Sequence, residues 1–311
     1  MTPFEVFAAR KTADASVACL EPFVTDFDRS AGTLEAIGNE WSRHFFGGAF
    51  YATPSPDPRR PACSLVFVQS LDGNTGAHNP FTLGGGETDK HVIYEGLSQV
   101  SADAVLVGAD TIRGGDLVFS VWHPELVHLR AALGKRRYPI QIVATVRGVD
   151  VDRDLLFNVP DIEVWVLTVA AGASRMRGGL ASRPWIRPLV MRRPEDLPEA
   201  FETLRTLGIE RISCVGGRHL ATQLIDAGLI QDVYLTTSAR TGGEPGTPLY
   251  PRSLEAHTVV RAHGTGADAG VIFEHHQLTA GSSASVHGDR ARHSDSRGPQ
   301  GRPSGPPTRR R

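Results

Sequence analysis

Four short stretches carry the residue types that chemistry needs: QSLDGNTG (69–76), VGADTIRGGD (107–116), ATVRG (144–148) and VGGRH (215–219). Each follows a short apolar run. In an open α/β sheet such strand ends face the ligand crevice. Gly216 and Gly217 lack a Cβ, so the backbone can bend sharply there and present N–H groups to an anion at the positive end of the following helix. The pattern is neither GxGxxG nor GxxxxGK[ST], and strand-to-helix turns also use glycine on steric grounds; taken alone, the steric reading outweighs the functional one. Ser70, Asp72 and Gly73 put a hydroxyl and a carboxylate at a pocket mouth, although Asp-Gly is a common turn pair and the local sequence favours that. Gly108 and Thr111 offer a close backbone approach and a hydroxyl, as a strand-ending Gly and an N-cap Thr also would. Thr145 and Arg147 fit a phosphate such as the 2′-phosphate of NADP, and a surface arginine fits equally well.

Other chemistries lack their residues. The chain has no HExxH, no CxxC and no histidine pair at metal-ligand spacing; His275 and His276 are adjacent, so a strand points them to opposite faces. It has neither a GxSxG elbow nor the PCxxC of a zinc deaminase. No metal is expected. What remains is a strand-edge site of glycines, hydroxyls and a few cations, of the kind a dinucleotide-dependent reductase uses.

The elements that must position these residues alternate from residue 62 onward. ACSLVFVQS (62–70) reads as a strand, residues 88–100 as a helix with Val92, Ile93, Leu97 and Val100 on one face, and AVLVG (104–108) as a strand buried on both faces. Residues 124–134 give a helix ending at Gly134, and strand-like PIQIVAT, IEVWVLTV and WIRPLVM follow between 139 and 191. A helix ending at Gly208, the strand before VGG, a helix closed by Gly228 and the strand DVYLTTS (232–238) come next. HTVVRAH and VIFEHHQL have no helix between them and should pair antiparallel. The expected fold is α/β, a mostly parallel central sheet flanked by helices with an antiparallel C-terminal edge. Residues 1–61 read as an extension with one helix, TLEAIGNEWSRHFFGG, and the Pro-rich link YATPSPDPRRP, packing on the main domain of 62–280 or on a neighbouring subunit.

Composition sets the class. Of 311 residues, 40% are hydrophobic and 22% charged, ordinary for a soluble globular chain. No stretch approaches the roughly 18–20 apolar residues of a membrane span, so no membrane partner is expected and a cytoplasmic location follows by default. Cys19, Cys63 and Cys214 read as buried, reduced thiols. The net charge of −1 combines a local +5 in residues 281–311 with −6 elsewhere, which argues against a specific nucleic-acid face on the folded part. The tail, rich in Gly, Ser, Pro and Arg, should be disordered.

VFVQSLDGNTG, SADAVLVGADTI and SCVGGRHLATQLIDAGLIQDVYLTTS, in this order and spacing, resemble the riboflavin-biosynthesis (pyrimidine) reductase family, which forms the C-terminal half of bifunctional deaminase-reductases. The likeness spans roughly residues 62–280. It implies a dihydrofolate-reductase-like fold, NADPH as hydride donor, a phosphorylated heterocycle as substrate and a homodimer. The reaction implied is reduction of 5-amino-6-(5-phosphoribosylamino)uracil at ribosyl C1′. It also implies site residues: Gly216, Gly217 and Arg218 at the cofactor diphosphate, with Val68, Gly108, Thr111, Thr145 and Arg147 as further cofactor contacts. Ser70, Asp72, Thr82, Gln99 and Val215 fall to the substrate side. The chain departs from the family pattern in the substrate half, where Val215 replaces a Glu, Gln99 an Arg and Asn74 a Lys or Arg; Arg218 replaces a Pro, and Gly115, with Asp116 beside it, replaces an acidic residue. Asp72, acting through a water, is the candidate proton donor. Two rivals follow from those departures: an NADPH reductase of a pterin, a folate or a specialised-pathway substrate, and a non-catalytic NADPH-binding sensor.

The tail is directly testable. Deleting residues 281–311 should leave the melting temperature and cofactor affinity nearly unchanged, since few apolar contacts are lost; a drop of many degrees would show that the tail packs.

Overall fold

The computed structural model describes residues 1–28, 34–77, 80–113 and 115–279. The tail expected at 281–311 lies outside them.

β4 (Ala62–Gln69) buries both Leu65 and Val66, neighbours that a strand points to opposite faces. β5 (Ala104–Gly108), β6 (Ile140–Ala144), β7 (Val164–Val169) and β8 (Ile186–Met191) run parallel to one another, the first three mostly apolar and buried and β8 half exposed at the sheet edge. β9 (Arg211–Cys214) returns to lie between β4 and β5, and β10 (Asp232–Thr237) takes the other side of β4. β11 (Ala256–His263) and β12 (Ile272–Leu278) form the antiparallel hairpin, and β1 (Val24–Phe27) adds to its edge. The ten-stranded sheet has the order β1-β11-β12-β10-β4-β9-β5-β6-β7-β8. It is mostly parallel with an antiparallel edge, as the sequence implies.

Direction of travel decides which face each helix covers. From β4 to β8 the chain steps one way, and from β8 through β9 to β10 it steps back, so right-handed crossovers put the two sets of helices on opposite faces. α7 (Leu197–Thr206) and α8 (Arg218–Asp226) bury Phe201, Leu204, Leu220 and Leu224 against Leu65, Leu106 and Ile142. The other face packs Val66 with Val92 and Ile93, and with Leu126 and Leu129 of α5 (Pro124–Ala132). The reversal leaves a switch point where β4, β9 and β5 end, the usual ligand crevice of such sheets.

Four local expectations need correction. The helix expected over TLEAIGNEWSRHFFGG is the strand β2 (Glu35–Ile37) followed by the short α2 (Glu40–Phe46), because Asn39 and Ser42 form a capping box that fixes the start at Glu40. β2 pairs with β3 (Phe50–Ala52). α1 (Pro3–Ser16) was not anticipated; Thr2 and Glu5 cap it reciprocally, and its Phe7 packs edge-on against Trp122. Between β7 and β8 the chain forms α6 (Ala170–Leu180), whose Gly172 lies so close to β7 that a Cβ there would collide with Thr168 Oγ1. The helix expected at 88–100 opens as α3 (Gly86–Thr88) and continues as a π-helical run, Asp89–Leu97. Val92, Ile93, Leu97 and Val100 are buried as its face requires.

Leu224 is fully buried between α8 and the sheet. Leu224→Ala should lower unfolding free energy by about 2–5 kcal/mol in urea titrations while leaving the strand-end loops in place.

Candidate active site

β9 ends at Cys214, and the chain then turns through Gly216 at φ +151° and Gly217 at φ +94°. Few L side chains tolerate the second value. Gly217 caps α8 with no side-chain hydrogen bond, so the first-turn N–H groups of the helix are left to point into the crevice. The Gly108 N–H donates to the Gly216 carbonyl at 3.2 Å. A Cβ on Gly217 would stand 3.4 Å from Gly108 Cα, and one on Gly216 would stand 3.5 Å from Thr111 Cγ2. Gly108, Thr111, Gly216 and Gly217 therefore form one wall. Leu65 and Leu106 both register with Cys214, which brings the half-buried Val68 level with the glycine turn, and Thr236 of β10 registers with Val68 on the far side.

The segment after β4 is bound to the loop after β10. Leu71 N–H donates to Arg240 O at 2.7 Å, Gly242 N–H to Asp72 Oδ1 at 3.1 Å, Asn74 Nδ2 to Gly242 O at 3.1 Å and Glu244 N–H to Gly76 O at 2.7 Å. Ser70 is buried and exchanges hydrogen bonds with the Asn74 backbone. The Ser70 hydroxyl, then the Gly242 N–H, hold the exposed Asp72 carboxyl below its ordinary value. A carboxylate held ionised is a poor proton donor.

The remaining predicted residues are dispersed. Thr145 Oγ1 donates to Gly148 O at 3.2 Å and so closes the turn after β6, while Arg147 is exposed and its carbonyl accepts from Arg175 Nη1 at 3.1 Å. Arg218, beside the glycine turn, lies 3.6 Å from Glu244 Oε2. Thr82 is exposed on the 3-10 turn Pro80–Leu83. Val215 is half-buried and packs into the core, its N–H held by Leu106 O at 3.0 Å. Gln99 is a correction: it is fully buried near the amino end of β5, the opposite end of the sheet from the glycine turn, with its side chain beside Tyr94 and its carbonyl bound by Arg130. Cys63 and Cys214 are buried, burial pushing the Cys214 thiol up to about 12, but Cys19 is exposed.

Two residues that carry no sequence motif also face this crevice. Asp89, at the start of the π-helical run, accepts a hydrogen bond from Thr236 Oγ1 through Oδ1, and a Cβ on Gly85 would meet its Oδ2. Loss of solvent pushes the Asp89 carboxyl up to about 7, against the Thr236 hydrogen bond and with the charge of Asp268 adding to the shift. An Asp in the first turn of a helix reads as a dipole partner, and nothing local marks a contact with a threonine 147 positions away. A separate cavity of about 310 Å³, lined by Arg136, Arg137, Tyr138 and Trp185 among others, lies at the amino ends of β6 and β7, away from these residues. Among the described residues no helix is long and apolar enough to cross a membrane, and no group of three or more His, Cys, Asp or Glu is placed to hold a metal ion.

Comparison with known proteins adds the family. No curated protein matches the sequence. A pyrimidine reductase-like protein of Corynebacterium diphtheriae superposes with TM-score 0.54 at 19% identity, over 70% of this chain and 92% of that one. The riboflavin biosynthesis reductase of Saccharomyces cerevisiae gives 0.51 at 16%, over 72% and 93%. The RibD protein of Acinetobacter baumannii gives 0.55 at 17%, and this chain spans only 59% of its length. These likenesses establish a dihydrofolate-reductase-like fold. The sequence profile described as the RibD C-terminal domain matches residues 61–265, two thirds of the chain, from the Pro-rich link to the end of β11, and the protein belongs to that family.

Proposed function

We propose that this chain is an NADPH-dependent reductase of riboflavin biosynthesis, acting on 5-amino-6-(5-phosphoribosylamino)uracil or a close pyrimidine analogue with hydride delivered to ribosyl C1′. The observation that carries the reading is the contact between the two turns, Gly108–Thr111 and Gly216–Gly217, in a member of the RibD C-terminal domain family. Their backbones are joined by the Gly108–Gly216 hydrogen bond, Gly216 and Gly217 hold positive φ that few L residues adopt, and the uncapped start of α8 leaves N–H donors for a diphosphate. A nicotinamide cofactor supplies the hydride there. The chain supplies orientation and a shielded pocket. Arg147 and Arg175, both exposed at the end of β6, are cations for a 2′-phosphate. Arg240, whose side chain lies over Gly84 between the two crevice loops, is a cation for a substrate phosphate. The reductase of a pterin or folate is the second reading, since Val215 beside the glycine turn brings no charge to the substrate side.

Oxidation of NADPH over a panel of pyrimidine, pterin and folate substrates tests the reading. Turnover only with pterins or folates would move the substrate, and NADPH binding without turnover on any of them would mark a sensor. Gly217→Val should weaken NADPH binding tenfold or more, roughly 1.4 kcal/mol, with native circular dichroism, whereas Leu224→Ala should lower stability and spare affinity. Wild-type affinity in Gly217→Val would place the cofactor elsewhere. Arg147→Ala should narrow the preference for NADPH over NADH in calorimetric titrations; an unchanged preference would release Arg147 from the phosphate.

A further inference from the structure

The reduction needs one proton as well as a hydride, and the two carboxyl groups of the crevice differ in what they can give. Asp72 stands in solvent with hydrogen-bond donors turned toward it. Asp89 lies under the Gly84–Gly86 turn with Oδ1 held by Thr236, while its Oδ2 has no hydrogen-bond partner among the described residues. Thr236 registers with Val68, and Val68 is level with the glycine turn on the other side of β4. Thr236 therefore stands about one strand spacing, roughly 5 Å, from the end of β4, Asp89 lies one side-chain hydrogen bond beyond it, and the glycine turn lies on the opposite side of β4.

We propose that Asp89, oriented by Thr236, is the proton donor of this site for an imine-bearing nitrogen heterocycle. The proposal rests on the reductase reading above. In the step, hydride from the nicotinamide forms the new C–H bond as the C=N π bond breaks, its electron pair moves to nitrogen, and the Asp89 O–H proton forms the N–H bond. Asp89 is left as the carboxylate and recovers a proton from water; the nicotinamide is oxidised. The surroundings hold the acid neutral before the step, since burial and the charge of Asp268, from the turn between β11 and β12, both oppose ionisation. Arg240 reaches over the adjacent Gly84, Glu87 and Lys90 on the same helix pair with each other at 3.0 Å, and Glu21 lies against Gly266 beside Asp268. General acids of this kind contribute typically 10²–10⁴-fold.

The test begins without substrate. Carboxyl-carbon NMR of the full chain should show Asp89 titrating near 7, with the midpoint raised in Thr236→Val and lowered in Asp268→Asn. A midpoint in the ordinary carboxylate range near 4 would overturn the proposal. The sign carries over to stability: a carboxyl protonated in the fold up to pH 7 but ionised in the unfolded chain above about 4 makes the parent lose stability as pH rises through that window. Asp89→Asn should lack this loss, which also reports that the variant folds. With the substrate found by the panel, Asp89→Asn should keep NADPH affinity within twofold and lose at least 100-fold in kcat. The parent's kcat should fall above pH 7, a limb that Asp72→Asn retains and Asp89→Glu displaces. Parental kcat in Asp89→Asn would sink the assignment, whereas loss of NADPH binding by the parent would sink the reductase reading and leave the titration result standing.

Discussion

The approach of Gly217 to Gly108 is the constraint on which the carboxyl edge depends. β9 is only four residues long and is inserted between β4 and β5 after the chain has already built the far half of the sheet. The turn that follows it takes positive φ at both glycines, a backbone that few L residues adopt. A Cβ at Gly217 would stand in ordinary contact with Gly108, 3.4 Å from its Cα, so the backbone angle rather than lack of room reserves the position for glycine. The same positive φ that permits the turn also aims the start of α8 at the crevice. A positive-φ turn and an exposed helix start are thus supplied by one pair of residues, which is why local sequence could not separate a conformational role from a binding one.

The opposite wall is fixed by a different device. The residues after β4 have few apolar contacts of their own, and hydrogen bonds to the loop after β10 hold them as one unit. Arg218 then links that unit to the glycine turn through Glu244, at a distance long enough and exposed enough that the contact contributes little to stability. An anion at the turn competes for the same guanidinium. The two walls therefore meet at an exposed charge pair, while each wall is held by its own backbone hydrogen bonds.

What was legible in the sequence follows the physics of each signal. The parallel core was legible because strands buried on both faces read as continuous apolar runs, as in AVLVG, and because glycines at 134, 208 and 228 end the helices where expected. α6 was hidden since AAGASRMRGGL carries three glycines and little amphipathic pattern, its place being set by β7 and β8 on either side. The capping boxes at Thr2 and Asn39 were present as short local signals. Gln99 was misplaced because matching a helix by spacing alone says which residues share a face, not which end of the sheet they reach. The glycine turns and SLDG were found because each is a local motif; the Asp89–Thr236 pair was not, because it exists only once β10 lies beside β4.

Two aspartates in one crevice show how environment assigns chemistry to identical side chains. Asp72 lies in a turn that must present N–H and hydroxyl donors to hold its shape, and those donors stabilise the ionised form whether or not a ligand is present. Asp89 begins a helix whose first turn is covered by glycines and backed by another carboxylate, so the neutral form is favoured despite the helix dipole and the Thr236 hydroxyl. A π-helical register contributes by widening the turn that carries Asp89 and by keeping Val92 and Ile93 locked in the core behind it. The acid is held by packing, and loss of solvent, with the charge of Asp268, raises its pKa against the Thr236 hydrogen bond. On the proposed reductase reading, delivering a proton is the one task that orientation alone cannot perform.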